Sequence, residues 1–509
     1  MKKNLYHTLK EYGESDYYPF HMPGHKRNPE SGPLSEWYKC DITEIDGFDN
    51  LHQPEGILLK AQQRAAKIFG SEETYFLVNG STAGILSAIS AVAGRGKRLL
   101  VARNCHKAVY HAAFLNGLEP EYLYPDVIEA YGCPDGISAL QVEKKLQEIT
   151  VRERINESEL KNLVAGVVLT SPTYDGILSD VENIVKFVHQ LGIPVILDQA
   201  HGAHFGFHPG FPESGVLQGA DFVIQSVHKT LPAPTQTAIL HCNGSLVNRE
   251  RLRKYLGIYQ TSSPSYLLMA GIDSCMDIME SQAGQRLSQL LKWRENFEKQ
   301  TKGLRHIRVY PFARAGAKGD TMRWTSGSQE PGKLLLSVRG TGKTGKWLYD
   351  RLRENYHLQP EMCAADYVLL ILSMMDTEEG FLRLQAALTE LDAEIDVRVA
   401  ADEKADEFEI YGMWKRNGCK DGQNVPKRIM PLKEAFMAPY EELLLNEAVG
   451  RAVSEFINLY PPGIPLLAPG ECLDTECLNM IKKYYEKGYI VQGIHVKNCN
   501  NEIKINVVK

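Results

Sequence analysis

A lysine directly follows one of the buried strands that the sequence predicts. The apolar run from Asp221 to Gln225 is typical of a buried strand, and Ser226, His228 and Lys229 come just after it. Desolvation lowers the pKa of a lysine that faces a low-dielectric pocket, which makes its amine a nucleophile. We therefore predict covalent chemistry at Lys229. A surface lysine at a strand end is the alternative when the residue is taken alone.

Two further strand ends carry groups with complementary chemistry. Asp198 ends the apolar run that begins at Pro194, and a buried carboxylate is costly unless a cation meets it. The stretch Gly80-Ser81-Thr82 follows another apolar run and opens a helix, where free N–H groups and hydroxyls favour a dianionic phosphate. A helix cap without a ligand is the alternative for this stretch.

The remaining candidates also follow predicted strands. His106 comes after the run 98–102, where it could stack on an aromatic ligand or serve as a hydrogen-bonded loop residue. The hydroxyl-rich segment 171–176 contains Thr173, and Ala200 and His201 follow Asp198. Because ligands of open α/β sheets bind at the carboxyl ends of the strands, we expect these side chains to meet at one edge of a sheet.

Pyridoxal phosphate needs three partners that these residues can supply. It requires a lysine amine, an acid that keeps its ring nitrogen protonated and an anion site for its phosphate. Lys229, Asp198 and Gly80-Ser81-Thr82 match these needs in one sequence. The combination predicts a pyridoxal-phosphate site, although each residue alone is weak support.

The elements that must position these residues predict an α/β fold. Apolar runs alternating with helical patterns indicate a mostly parallel sheet covered on both faces. The predicted strands are 74–78, 98–102, 164–170, 194–198, 221–225 and 237–242, and the predicted helices include 56–69 and 83–93. A smaller α/β segment has strands at 333–338 and 367–373 around a helix at 344–355. The last hundred residues combine a helix at 432–459 with a proline-rich turn, and the charged run 401–409 is expected to be a solvated helix or linker.

The predicted division is an N-terminal arm (1–60), a large cofactor-binding domain (61–300), a small α/β domain (301–400) and a C-terminal domain (401–509). Composition is that of an ordinary globular protein, with 43% apolar and 24% charged residues. The net charge of −6 argues against nucleic acid as a partner. No apolar run is long enough for a membrane span, and no signal peptide pattern precedes the arm. The ten cysteines are scattered without a zinc-binding pattern, so we expect no metal and a cytoplasmic location.

The sequence resembles the Orn/Lys/Arg decarboxylase family over nearly its whole length. These are pyridoxal-phosphate enzymes of the aspartate aminotransferase-like fold (fold type I). Together the matching stretches are specific, whereas any one of them alone would not be. They are FHMPGHK (20–26), DITEIDGFDNLHQPEG (41–56), LVNGSTAG (77–84), NCHKA (104–108), SPTYDG (171–176), LDQAHGAHF (197–205), SVHK (226–229) and PPGIPLLAPGE (461–471).

The resemblance implies a role for each matching residue. Lys229 would bind the cofactor covalently, Asp198 would pair with the pyridinium, and Ala200 and His106 would lie on opposite faces of the ring. The residues implied for the phosphate are Ser81, Thr82, Ser226 and His228. The sequence departs from the family's long forms in two ways: no receiver-like domain precedes residue 20, and His201 stands where those forms commonly have an aromatic residue.

The implied reaction is decarboxylation of L-arginine, L-lysine or L-ornithine to the corresponding amine, with Lys229 or His228 as the nearest proton donor for Cα. An aminotransferase of the same fold is the alternative, although that class needs an arginine that grips the α-carboxylate and the sequence reveals none. A catalytically silent cofactor-binding protein is the other alternative.

A substrate with a distal cation requires an acid in the pocket. Glu471 and Asp46 are the candidates that the sequence offers for this acid. Sites of this fold usually lie at a dimer interface, so acids of the N-terminal arm could reach a neighbour's pocket. The resemblance therefore implies a homodimer with shared active sites, and a higher oligomer is an open alternative.

Overall fold

The computed structural model describes residues 4–312, 324, 327–395, 426–460, 463–497 and 502–509. The predicted charged run 401–409 lies outside the described residues. The α-helices in these ranges are α1 (Leu5–Gly13), α2 (Ser35–Tyr38), α3 (Ile57–Phe69), α4 (Gly80–Val92), α5 (Lys107–Asn116), α6 (Ala139–Glu153), α7 (Leu160–Leu163), α8 (Val181–Gln190), α9 (Val227–Thr230), α10 (Arg249–Tyr259), α11 (Tyr266–Thr301), α12 (Gly345–Tyr356), α13 (Glu378–Glu394), α14 (Leu432–Met437) and α15 (Thr475–Glu486).

The strands of the same ranges form five sheets. They are β1 (Glu73–Leu77), β2 (Arg98–Ala102), β3 (Glu119–Leu123), β4 (Val127–Ile128), β5 (Cys133–Pro134), β6 (Val164–Thr170), β7 (Val195–Asp198), β8 (Phe222–Gln225), β9 (Ala238–Cys242), β10 (Arg308–Val309), β11 (Lys333–Ser337), β12 (Met362–Cys363), β13 (Tyr367–Ile371), β14 (Tyr440–Leu444), β15 (Ile457–Tyr460), β16 (Ile464–Leu467), β17 (Ile490–Gln492), β18 (His495–Lys497) and β19 (Glu502–Val508).

A seven-stranded sheet forms the centre of the large domain, with strand order β1-β9-β8-β7-β6-β2-β3. Strands β8, β7, β6, β2 and β3 pair in parallel, and β9 is antiparallel to both of its neighbours. The predicted α/β fold with a mostly parallel sheet is confirmed. Because the parallel strands end at one edge, the loops after β2, β6, β7 and β8 meet there.

Helices cover both faces of this sheet, because successive side chains of a strand point to opposite sides. Leu100 of β2 joins a hydrophobic cluster with residues of α6 and α8. Its neighbours Leu99 and Val101 join a different cluster with residues of α4, α5 and α10. Two apolar layers on one strand explain why the sequence shows unbroken Val/Ile/Leu runs rather than an alternating pattern.

The sequence predicts most of the large-domain elements to within a few residues, but it misses β3. That strand contains Pro120 and two glutamates, which are uncommon within a sheet. The strand lies at the edge of the sheet, next to β2 alone. A proline without an N–H is tolerated at such an edge.

The small and C-terminal sheets follow the long helix α11, which has 36 residues. A four-stranded sheet has the order β10-β11-β13-β12, and α12 and α13 accompany it. The C-terminal part forms two three-stranded sheets, β14-β19-β18 and β16-β15-β17.

The predicted helix 432–459 is wrong. The helix ends at Met437, and the remaining range contains β14 and most of β15. Pro439 disfavours helical backbone at the residue before it and cannot continue the helix. Residues 440–444 instead pair with the C-terminal strand β19, so a long-range partner determines their structure.

No helix in the described part of the chain has both the length and the apolar character needed to cross a bilayer. The same residues contain no group of three or more His, Cys, Asp or Glu side chains arranged to hold a metal ion.

Candidate active site

Lys229 lies in the short helix α9, which follows β8 at the carboxyl edge of the sheet. Its Nζ is 3.1 Å from Nε2 of His201. Desolvation lowers the pKa of Lys229, and the carboxylates of Asp198 and Glu361 oppose that shift. The amine therefore gives up its proton more readily than an exposed lysine does, as a nucleophile requires.

Asp198 is the last residue of β7, and its side chain is 4% exposed. Its carboxylate accepts a hydrogen bond from the backbone N–H of Ala200 at 3.1 Å. Burial raises the pKa of Asp198, and the charge of Lys229 partly offsets this. A cationic ring nitrogen beside this carboxylate would supply the compensation that its burial demands.

The first turn of α4 provides a site for an anion. Gly80 has a φ of 71°, a left-handed conformation that favours glycine, and the helix N-terminus has no side-chain cap. Oγ of Ser81 lies 2.6 Å from Oγ of Ser226, so the turns after β1 and β8 meet here. His228 donates its Nδ1–H to the carbonyl of Thr237 at 2.7 Å.

His106 caps the N-terminus of α5, where its Nδ1 accepts the backbone N–H of Ala108 at 3.2 Å. Burial, together with the positive charges of Lys229 and Lys107, lowers the pKa of His106 to about 4. The ring is therefore neutral at pH 7 and carries its proton on Nε2. A neutral, fixed imidazole is suited to lie against the face of an aromatic ligand.

These residues line one cavity of about 480 Å³. Its lining brings together ten of the thirteen residues predicted from the sequence. The ten are Gly80, Ser81, Thr82, His106, Asp198, Ala200, His201, Ser226, His228 and Lys229. The ends of four different strands contribute to this set, which is why it assembles only in the folded sheet.

Three predicted residues do not line the cavity. Oγ1 of Thr173 accepts the backbone N–H of Ile177 at 3.1 Å and stabilises the turn that follows β6. Asp46 is exposed on the N-terminal arm. Thr173 therefore belongs to the scaffold, and Asp46 stays a prediction for a neighbouring subunit's pocket.

Glu471, the other acid suggested for the substrate, does not line this chain's cavity and is instead buried with Arg103. Its Oε2 is 3.0 Å from Nη2 of Arg103 and accepts the backbone N–H of Ala468 at 2.8 Å. Both side chains are almost completely buried. Arg103 also donates to the carbonyls of Pro465 and Leu466. The pair joins the C-terminal segment to the loop after β2, so the suggestion of a substrate acid is corrected to a domain-joining ion pair.

Several lining residues have no signal in the sequence. Glu361 precedes β12 of the small sheet, and its Oε1 accepts the hydroxyl of Tyr174 at 2.5 Å. Tyr460 and Ile464 reach the cavity from the C-terminal sheet, and Asn104, Thr170 and Pro172 complete its edge. Glu361 and Tyr460 lie outside the stretches that match the family, so no motif marks them. Asn104, Pro172 and Ile464 lie within such stretches but carry no predicted role.

Pyridoxal phosphate fits the groups that are present. The uncapped first turn of α4 and two serine hydroxyls offer donors to a phosphate, and the buried carboxylate of Asp198 faces the same cavity as Lys229. The hydroxyl of Thr170 is buried without a hydrogen-bond partner at the cavity wall, so the cavity has spare polar capacity for a ligand.

Comparison with known proteins identifies the family. The model of the Orn/Lys/Arg decarboxylase major domain matches residues 3–379, and the model of the C-terminal domain of the same family matches residues 425–508. The chain belongs to the Orn/Lys/Arg decarboxylase family. It is a pyridoxal-phosphate-dependent amino-acid decarboxylase, and the resemblance inferred from the sequence is confirmed.

Similar proteins cover most of this decarboxylase. An arginine decarboxylase of Bacillus subtilis is 30% identical over 495 residues, which are 96% of this chain and 95% of that protein. An inducible lysine decarboxylase of Escherichia coli is 25% identical, covering 92% of this chain and 75% of that protein. The crystal structure of a Francisella novicida lysine decarboxylase has a TM-score of 0.80 at 20% identity over 99% of this chain and 81% of that one, which supports the fold.

Proposed function

We propose that this decarboxylase removes the α-carboxyl group of a basic L-amino acid, and that L-arginine is preferred over L-lysine and L-ornithine. The observation that carries the proposal is a carboxylate in the cavity, Glu361, beside the aromatic ring of Tyr174. A distal cation of the substrate needs such an acid. The similarity to the arginine decarboxylases of Bacillus, which are 30% identical over most of the chain, supports a guanidinium as that cation.

The cofactor-holding residues have distinct proposed roles. Lys229 binds the cofactor covalently, and Asp198 keeps the ring nitrogen protonated. His106 and Ala200 hold the two faces of the ring. Ser81, Thr82, Ser226 and His228 bind the phosphate. When bound, the cofactor supplies an electron-withdrawing ring that accepts the electron pair of the broken bond between Cα and the carboxylate.

The proposed roles of the residues around the reacting carbon follow from their charges. A free amine at Lys229 would hold a proton near Cα of the substrate and would return it to that carbon after CO2 leaves. His228 is the second candidate donor. The neutral ring of His106 helps to exclude water from the cofactor face. Water at that face could donate a proton to the wrong atom and divert the reaction.

Glu361 also suits a planar cation in its surroundings. Its carboxylate can accept two parallel N–H bonds from a guanidinium, and the rings of Tyr174 and Tyr460 line the same cavity. An ammonium group from lysine or ornithine can meet the same carboxylate but forms no such paired hydrogen bonds. This difference supports the preference for arginine.

The test offers the purified enzyme L-arginine, L-lysine and L-ornithine, with norleucine and glutamate as controls, and follows both CO2 and amine. We expect agmatine from arginine as the main product. Norleucine should react about 30- to 1,000-fold more slowly, because it leaves the pocket acid desolvated and unpaired at a cost of about 2–4 kcal/mol. Formation of a keto acid without release of CO2 would indicate an aminotransferase. Equal rates on norleucine and the basic substrates would exclude a pocket acid that binds the distal cation.

We also propose that the enzyme is a homodimer whose subunits share their active sites. Large apolar side chains of the N-terminal arm are exposed in the single chain, including Tyr17, Tyr18, Phe20 and Trp37. A contiguous partner surface would cover such side chains. Light scattering of the purified protein tests the proposal, and a fully active monomer would contradict it.

A further inference from the structure

A buried row of polar groups lies behind Lys229 and joins the large domain to the small one. Lys333 is the first residue of β11, and its side chain is fully buried. Its Nζ lies 2.8 Å from Nδ1 of His201, and Nε2 of the same imidazole lies 3.1 Å from Nζ of Lys229. Two lysines thus contact the two nitrogens of one ring.

The backbone is shaped to admit Lys333. Gly176 lies against its stem, and a Cβ at that position would come within 2.4 Å of Cγ of Lys333. Behind it, the buried carboxylate of Glu330 is 3.2 Å from Nε2 of His204. A buried ammonium is therefore given both space and a nearby negative charge, which is unusual for a lysine with a purely packing role.

The hydrogen-bonding capacity of the three groups fixes where the protons lie. Burial holds the pKa of His201 well below its usual range, and the charge of Lys333 lowers it further. The imidazole is therefore neutral and has one N–H. Burial lowers the pKa of Lys333 to about 8, with Glu330 opposing the shift, so Lys333 is largely an ammonium at neutral pH.

An ammonium can only donate, so Lys333 donates to Nδ1 of His201 and the imidazole proton resides on Nε2. That N–H points to Lys229, whose nitrogen can accept it only as a free amine. An ammonium at Lys229 would bring two donors face to face. The neighbouring charge therefore selects the tautomer, and the tautomer disfavours the protonated form of Lys229.

We propose that Lys333 is a positioning residue that fixes the Nε2–H tautomer of His201 and, through it, holds Lys229 as a free amine ready to bind the cofactor. The inference rests on the proposed role of Lys229 but not on which amino acid is the substrate. It gives the small domain a part in preparing the lysine of the large domain.

Other charged or titratable groups also face this row. The carboxylates act on one or both lysines, and the histidines act on His201; Tyr174 packs its ring edge-on against His201. They are Asp198, Glu361, Asp175, Glu330, His106 and His228. A variant at residue 333 leaves all of them in place, so its effect isolates the charge of Lys333.

The first test follows the binding of pyridoxal phosphate to the cofactor-free protein as a function of pH. The reaction joins the Lys229 nitrogen to the aldehyde carbon and releases one water, and its absorbance gives the rate. Lys333→Met removes the charge at similar length, and Lys302→Met removes the charge of an exposed lysine as the matched control.

We expect the midpoint of the pH–rate profile to rise by about one unit in Lys333→Met, because a like charge near an amine lowers its pKa by about that much. At neutral pH the rate should fall about tenfold. Lys333→Arg keeps the charge, so its midpoint should lie close to that of the wild type. Lys302→Met should match the wild type. An unchanged midpoint in a folded Lys333→Met protein would overturn the proposal.

The second test measures the tautomer in the wild-type protein itself. Nitrogen-15 NMR of histidine-labelled, cofactor-free wild-type protein distinguishes the two tautomers, and loss of one signal pair in His201→Gln assigns them. We expect His201 to be protonated at Nε2 alone. A proton on Nδ1 would refute the inference. Borohydride reduction and peptide mapping keep the two ideas apart: a label on another lysine would contradict the proposed role of Lys229 itself.

Discussion

Replacing Glu361 by glutamine should weaken the binding of the substrate's basic side chain without changing the shape of the cavity. The carboxylate lies at an exposed part of the cavity wall, where Tyr174 donates to it. A substrate cation bound there would form a charge-assisted hydrogen bond in a partly desolvated site. Such a bond contributes about 1.5–3 kcal/mol, more than an exposed ion pair.

That range corresponds to a loss of about 10- to 150-fold in kcat/KM for L-arginine. The loss should appear mainly as a higher KM, because the distal cation is bound equally in the ground state and the transition state. The value of kcat/KM for norleucine should rise, since norleucine no longer leaves a desolvated carboxylate unpaired at residue 361. The ratio of the two substrates is therefore the quantity to measure.

Two controls separate charge from packing. Tyr174→Phe removes the hydroxyl that donates to Glu361 and keeps the carboxylate. The value of kcat/KM for L-arginine should therefore fall much less than in Glu361→Gln. Glu379→Gln neutralises an exposed acid of helix α13 and should have no effect. If Glu361→Gln slowed arginine and norleucine by the same factor, the acid would not contact the distal cation and the reasoning would fail.

Other predictions concern the cofactor site and the stability of the chain. Borohydride reduction of the loaded enzyme should place the pyridoxyl label on Lys229, and peptide mapping that finds it elsewhere would reject the assignment. Asp198→Asn should lower turnover by orders of magnitude while keeping most of the bound cofactor, because the ring loses the carboxylate that keeps it protonated; near-native turnover would contradict this role. Glu471→Gln should reduce the free energy of unfolding in urea by about 3–5 kcal/mol, since it leaves the Arg103 charge buried and unpaired. The double variant Arg103→Met with Glu471→Leu should show a smaller reduction in the free energy of unfolding. The folded-state pKa of His106, about 4, lies below its unfolded value near 6.5, so its contribution to stability is present above pH 6.5 and is lost as the pH falls towards 4; His106→Asn, which keeps a helix cap, should show a weaker pH dependence of unfolding.

The sequence predicts the cofactor-facing part of the site well, because those residues obey local rules. Each of them follows a strand whose apolar run is visible, and parallel strands bring such positions to one edge. Strand ends alone therefore suffice to place Lys229, Asp198 and the Gly80 turn near each other. The fold confirms their proximity, and their chemical roles await the experiments above.

The substrate-facing part could not be predicted, since long-range packing determines it. Glu361 directly precedes β12 and Tyr460 ends β15, and a single acid or tyrosine at such a position carries no sequence pattern. The prediction of Glu471 as a substrate acid is wrong because its partner, Arg103, is 368 positions away in sequence. The prediction of helix over 440–444 is wrong because the pairing of this segment with β19 leaves no local trace.

The wall that Ile464 contributes to the cavity also has a consequence for synthesis. The chain emerges from the ribosome N-terminus first, and about 235 residues follow Lys229 before Ile464 is made. At about 5–20 residues per second, this takes roughly 12–47 s. The sheet that carries Lys229 can form during that interval, while one side of its cavity still lies open to the cell. Cofactor loading can therefore begin on the nascent chain, and the pocket closes only when translation is almost finished.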